Sequence, residues 1–278
     1  TYKTILLHLH DARRAQRALE AAVPMARDMN AHLIGLSVLP PFVVLPAMDG
    51  GGASVTVDEH RELYRAEVAR LKEVFEEATR GQPFPAEWRE ADAAFGTAAG
   101  TIIDHGRCAD IIVASQPDTG WGSSSLLEDP VRLAMASGRP VLLVPNKGRC
   151  AMSPKRVTVA WNGRREAARA TFDALPLLKL AEAVNVLWLR PERDQPTTDL
   201  PTAEICASLV RHGVAAQGTE VAAAGGDVGS EIMRQATAFG SDLLVMGCYG
   251  HSRLREFILG GASRHVLDAM SLPVLMSH

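Results

Sequence analysis

CADIIVAS, residues 108–115, and GSDLLVMG, residues 240–247, decide the fold. Each is a short apolar run entered through a small residue and an aspartate, as expected of a parallel strand buried on both faces. A polar loop follows each, and then a helical stretch: SLLEDPVRLAM from Ser125 and FILGGASRHVLDAM from Phe257. Each half closes on a proline-led strand, PVLLVP from Pro140 and PVLMSH from Pro273. The openings correspond as well. TILLHLHDARRAQRAL near the start matches RVTVAWNGRREAARAT from Arg156. The chain repeats itself, which makes it two copies of one small domain in tandem.

The segments between the strands have helical period. Ala15, Leu19, Ala22, Ala26 and Met29 form one stripe, and Tyr64, Val68, Leu71, Phe75 and Ala78 another within the charged stretch 57–79. Strand runs AHLIGLSVL, PAEWREADA and CADIIVAS alternate with them. Alternation of this kind predicts a parallel sheet with right-handed crossovers and helices on both faces. NKGRCAMSPKR, residues 146–156, reads as the linker between the halves. PAMDGGGASV, residues 46–55, reads as a flexible surface excursion, with a lid over a pocket as the sharper alternative.

The bulk numbers exclude several classes. The chain has 278 residues, 47% hydrophobic and 22% charged, which is ordinary globular composition. A net charge of -3 gives no basic footprint for nucleic acid. No apolar run approaches the roughly 18 residues of a membrane span. The opening TYKTILLHLHDARR lacks a signal-peptide pattern. Cys108, Cys150, Cys206 and Cys248 are scattered, which suits free thiols. A cytoplasmic protein is the expectation.

Ligands of doubly wound sheets bind beyond the carboxyl ends of the strands, where the strand order reverses. GCYGHSRLREFILGGAS, from Gly247, falls there in the second half. Gly247 and Gly250 permit tight turns near a ligand. Gly260 and Gly261 fall near the start of the last helix, where free N–H groups and the helix dipole favour an anion. Ser263 adds a hydroxyl, and His251 and Arg253 could add positive charge. On the spacing G-x2-G-x9-G-G alone, phosphate binding and plain turn-making both stay open.

The whole pattern, with VAWNGRREAARA and the closing PVL, resembles the universal stress protein family over nearly the full chain. The resemblance implies an α/β fold: two tandem doubly wound, Rossmann-like five-stranded parallel sheets of order 3-2-1-4-5, packed as a pseudo-twofold pair. Residues 1–146 would be a domain with a degenerate nucleotide site, and 155–278 one with a retained glycine loop. The halves are expected to pair face to face, with PVLLVP and PVLMSH as the associating edges. A homodimer is left open, and no nucleic acid or membrane partner is expected.

The same resemblance assigns nucleotide contacts in the second half. Ala160, Trp161 and Asn162 would lie near the adenosine, and the backbone of Leu189 would meet adenine. Met246, Gly247, Tyr249 and Gly250 would line the nucleotide, with Gly260, Gly261, Ala262 and Ser263 around its phosphates. The implied ligand is ATP or AMP, with or without Mg, and the implied role is stress-associated regulation with hydrolysis slow or absent. Two departures stand out. Asn162 takes the place of a usual Asp, and Gly261 that of a usual Ser or Thr.

The first half differs. Ser115 and Asp118 stand for Gly247 and Gly250, and Glu128, Asp129, Pro130 and Val131 stand for Gly260, Gly261, Ala262 and Ser263. Two carboxylates at the helix start would repel phosphate, and Pro130 has no N–H to give. His10 takes the Asp position. Residues Gly122, Ser123, Ser124 and Ser125 read as capping and turn chemistry before a substitute anion nest. This site is expected to be dead for nucleotides.

Lesser candidates remain. His8 and His10 share a strand face beside Asp11, but two imidazoles without a clear third ligand read as a hydrogen-bonded pair before a metal site. Cys248 reads as buried and inert before redox-active. Arg164, Arg165 and Arg169 read as a solvated helix face. No Ser-His-Asp order, paired carboxylates or G-x4-G-K-[ST] loop supports dedicated hydrolase or kinase chemistry. Two rivals to the nucleotide reading stay open: a non-nucleotide dimeric scaffold with both sites degenerate, and a slow ATPase.

Overall fold

Short β-branched and leucine-rich runs form the strands, and amphipathic segments with small residues on one face form the helices that cross between them. The computed structural model describes residues 1–40, 57–93, 97–117, 130–150, 153–190, 202–222, 227–248 and 261–278. The first half runs β1 (Thr4–His8), α1 (Ala12–Met29), β2 (His32–Leu39), α2 (Val57–Thr79), β3 (Ala86–Asp92), α3 (Ala98–Gly106), β4 (Ile111–Ser115), α4 (Pro130–Ala136) and β5 (Val141–Val144). The second runs β6 (Arg156–Trp161), α5 (Arg165–Asp173), α6 (Leu175–Leu178), β7 (Ala183–Arg190), α7 (Thr202–Arg211), β8 (Ala216–Ala222), α8 (Val228–Phe239), β9 (Leu243–Gly247), α9 (Gly261–Ala269) and β10 (Val274–Ser277).

Strand order is β3-β2-β1-β4-β5-β10-β9-β6-β7-β8, so each half has the expected order 3-2-1-4-5. The halves do not pack face to face. They join edge to edge, because β5 and β10 pair antiparallel and fuse both sheets into one of ten strands. Every other strand pair is parallel. Two bare apolar edges each expose a row of N–H and C=O groups, and pairing them satisfies both rows at once.

Both faces of the sheet are covered. One core cluster lies under α1, α2, α5, α6 and α7, and includes Leu19, Phe75, Ala170, Leu177 and Leu209. The other lies under α3, α4, α8 and α9, and includes Ile102, Val131, Ile232, Val266 and Leu267. The expected stripe on α1 is wholly buried, and on α2 Leu71 and Phe75 are buried while Tyr64, Val68 and Ala78 are half-buried. Asp11 caps α1 by accepting from the Arg13 N–H at 2.9 Å, and Asn30 ends it in the left-handed region at φ 48°.

The segment read as a linker is pinned rather than loose. Arg17 on α1 donates to the carbonyls of Pro145 at 3.0 Å and Gly148 at 2.9 Å. Gly148 has φ +90° and an added Cβ would lie 2.2 Å from the Ser271 carbonyl oxygen, so only glycine fits. Ser153 Oγ donates to Asp28 at 3.0 Å. The Tyr2 hydroxyl donates to the Asp173 carbonyl at 2.6 Å, tying β1's approach to α5. Burial, and then the nearby Asp173 charge, keep that phenol protonated far beyond its ordinary range.

Leu142 and Leu275 face each other across the seam, both fully buried. Leu275→Ala is expected to destabilise the protein by about 2–5 kcal/mol, the usual cost of a cavity at such a site. Chemical denaturation measures it. A loss under about 0.5 kcal/mol, the range of surface substitutions, would mean that the seam contributes little.

Candidate functional site

The strand order reverses between β6 and β9, which opens a crevice at their carboxyl ends. Ala160 and Met246 are register partners there. Trp161 ends β6 and Gly247 ends β9. Leu189 lies one strand further out, paired with Val221 of β8. Pleating divides these side chains. Ala160, Leu189 and Met246 belong to the α8/α9 face, whereas Trp161 packs into the opposite cluster. The Trp161 indole Nε1–H is buried and has no hydrogen-bond partner among the described residues.

Asn162 is exposed just past β6, and its Oδ1 accepts from the Arg164 N–H at 3.0 Å. That bond makes an Asx turn leading into α5, so the amide that replaces the usual carboxylate shapes the loop. Arg165 Nε donates to Glu166 at 2.6 Å, and Arg165 Nη2 lies 3.2 Å from His278 Nε2. Burial raises the Glu166 carboxyl, but the Arg165 bond and charge outweigh it and leave the group below its ordinary value.

The two described glycines of the loop have different surroundings. A Cβ on Gly247 would lie 2.6 Å from the Glu166 carbonyl carbon and 2.7 Å from the Ala167 nitrogen. Glycine is therefore required at 247 so that the first turn of α5 can cross the end of β9. Gly261 is the first residue of α9 and has space, the nearest atom being Asp227 Oδ1 at 3.9 Å from a built Cβ. Gly261 is exposed, Ala262 half-buried, and Ser263 buried on the inner face of the helix. Tyr249, Gly250 and Gly260, with His251 and Arg253, lie outside the described residues.

One cluster at this helix end was not anticipated. Asp227 caps α8, accepting from the Ser230 N–H at 2.8 Å. His265 on α9 sets Nδ1 3.2 Å from Asp227 Oδ2 and Nε2 3.0 Å from Ser230 Oγ. The helices abut so closely that a Cβ on Gly229 would lie 2.7 Å from the Ala262 carbonyl oxygen. The Ser230 backbone bond, then the Ser230 hydroxyl and His265, hold the Asp227 carboxyl below its ordinary range. The trio is not a nucleophile relay. Ser230 Oγ also lies 3.1 Å from Asp227 Oδ2, and the two ring nitrogens diverge too widely to aim at partners so close together. Contacts between residues 35 positions apart leave no local sequence signal.

At the matching crevice of the first half, between β1 and β4, the residues are His8, His10, Asp11, Arg14, Ser115 and Gln116. His8 is buried, and its Nε2 has no hydrogen-bond partner among the described residues. Burial first, then the neighbouring His10 and Arg14, push its pKa well below the ordinary imidazole value. The His8 and His10 rings stack at 5.1 Å with planes 16° apart. Nearly parallel stacked rings cannot aim their lone pairs at one ion, and among the described residues no trio of His, Cys, Asp or Glu suits a metal. Arg14 donates to His10 Nε2 and to the Gln116 carbonyl at 2.9 Å. Pro130 opens α4 and Val131 is buried beside it, while Asp118, Gly122 to Ser125, Glu128 and Asp129 lie outside the described residues.

Together the strand order and the crevices define a tandem, Rossmann-like α/β protein with two switch points. The universal stress protein family model matches residues 154–278, the second half of the chain, and the first half has the same strand order. A universal stress protein from Archaeoglobus fulgidus DSM 4304 superposes with TM-score 0.69 at 17% identity, over 99% of this chain and 95% of its own. A putative universal stress protein from Pseudomonas aeruginosa UCBPP-PA14 superposes with TM-score 0.56 at 18% identity, over 100% and 93%. Both share the full-length tandem fold. At half length, a universal stress protein in complex with cAMP aligns at 23% identity over 51% of this chain and 97% of its own, with TM-score 0.36. No curated protein matches.

Proposed function

We propose that the second half, residues 155–278, binds an adenine nucleotide, ATP or AMP, in the β6/β9 crevice as part of a stress-associated regulatory role. The observation that supports this reading is α9, the helix that follows β9, whose amide end begins at the uncrowded Gly261. Unpaired N–H groups at such an end attract phosphate. In this reading Ala160, Trp161, Asn162, Leu189 and Met246 surround the adenosine. Gly261, Ala262 and Ser263, with Gly260, take the phosphates, and Gly247, Tyr249 and Gly250 close the loop. With no metal trio among the described residues, Mg would arrive on the phosphates. The first half, residues 1–146, binds no nucleotide, and the protein works in the cytoplasm.

One observation favours the rival scaffold reading. Asp227 puts a carboxylate beside the same helix end, which opposes a phosphate. A single experiment separates the two. ATP should raise the melting temperature, with a stabilisation of about 2.7 kcal/mol at a hundredfold excess over Kd. Gly250→Arg or Gly260→Arg should abolish the shift, and Asp118→Asn or Glu128→Gln should leave it. Absence of any shift with millimolar ATP or AMP, with or without Mg, selects the scaffold. Release of phosphate over hours would instead identify a slow ATPase.

A further inference from the structure

The first half reaches into the helix on which the second half's site depends. Gln116 directly follows β4, in the place that Cys248 holds after β9: the Gln116 N–H donates to Val144, and the Cys248 N–H to Ser277. Gln116 is 8% exposed, and both ends of its side-chain amide are used. Oε1 accepts from the Asn146 N–H at 2.9 Å, and Nε2 donates to the Leu267 carbonyl at 2.7 Å. Its own carbonyl accepts from Arg14 at 2.9 Å and from Asn146 Nδ2 at 3.3 Å. Gln116 is thus held through its backbone N–H, its backbone carbonyl and its side-chain Oε1 before Nε2 meets α9.

Leu267 belongs to the last turn of α9 (Gly261–Ala269), where the carbonyls lack partners inside the helix. Gln116 supplies such a partner in a buried place, from the other half of the molecule. A helix this short moves as one body in a close-packed core, so a bond that fixes its carbonyl end also fixes where its amide end points. Cys248, at the matching place, is buried in the cluster that contains Val131 and Leu133 of α4. The half without a glycine loop holds the helix of the half that has one.

We infer that Gln116 is a positioning residue for phosphate binding in the second half: through the Leu267 carbonyl it sets the aim of α9's N-terminal amides. The inference rests on the nucleotide reading above. Its test is calorimetric titration of ATP and of adenosine into the full chain, as wild type, Gln116→Met and Gln116→Glu. Methionine keeps the length and removes the donor, and glutamate sets an acceptor against the Leu267 carbonyl. ATP should bind about tenfold or more weaker in both variants, within the usual range of coupling between sites. Adenosine, which has no phosphate, should keep its affinity. Equal losses for both ligands, or no loss for ATP, would overturn the inference while leaving nucleotide binding intact. Failure of the wild type to bind ATP would fell the nucleotide reading first and this inference with it. Hydrogen exchange serves as a ligand-free check, with faster exchange expected over residues 261–269 and unchanged exchange in β9. Unaltered exchange over 261–269 would also overturn it.

Discussion

Gly247→Ala is expected to destabilise the ligand-free protein by about 1–3 kcal/mol, the usual cost of overpacking a full site. The reason is geometric. The new methyl group would meet the backbone of Glu166 and Ala167 at 2.6 and 2.7 Å, and backbone cannot rotate away as a side chain can. Either α5 shifts off the sheet or β9 bends. Gly247→Val should cost more, since a branched side chain adds two further methyl groups in the same gap. Gly261→Ala is the natural control, because its Cβ has room and glycine is a poor helix former. That variant should hold or slightly raise stability. Denaturant melts without nucleotide settle the matter. Equal stability for Gly247→Ala and wild type would return Gly247 to a purely ligand-facing role.

A second large effect concerns acid. His8 is buried, and its folded-state pKa lies well below 6.5, the ordinary value it regains on unfolding. As pH falls below about 6.5 the unfolded chain takes up a proton that the folded chain refuses, so unfolding becomes easier. Stability is therefore complete above that value and declines below it, until the folded-state pKa is reached. The slope approaches about 1.4 kcal/mol per pH unit for this one group while the pH stays above its folded-state pKa. Carboxyl groups held below their ordinary values, such as Asp11 and Asp227, lose their contribution at lower pH, which keeps the windows apart. His8→Leu should flatten the decline that begins below about pH 6.5. An identical decline in the variant would show that its source lies elsewhere.

Much of the fold was legible in the sequence. The paired runs at 108–115 and 240–247, with helical stripes between strands, suffice for two parallel sheets with helices on both faces, while their order 3-2-1-4-5 was implied by the family resemblance. The associating edges were legible too, though not their geometry. A proline-led apolar strand such as PVLLVP signals that something must cover it, but not whether a face or a strand does so, and here it is β10.

The site was legible as a place more than as a set of contacts. Gly260 and Gly261 are expected at or near the start of the last helix, and α9 begins at Gly261. Gly247 was harder, since a glycine that admits a helix reads the same as one that admits a phosphate. Asp227, Ser230 and His265 meet only because α8 and α9 lie side by side, and Gln116 reaches Leu267 only because the halves share one sheet. Contacts of that kind belong to the tertiary structure and have no period or spacing to announce them.

The seam also bears on how the protein is made. β10 lies at the middle of the ten-stranded sheet, yet residues 274–277 leave the ribosome after every other strand. Until they arrive, the apolar edge of β5 is open on an otherwise finished first half, and β9 lacks one neighbour. Waiting edges of this kind attract other chains. Nascent or truncated forms that stop short of residue 274 should therefore be the aggregation-prone species, and completion of β10 is the event that closes both halves together.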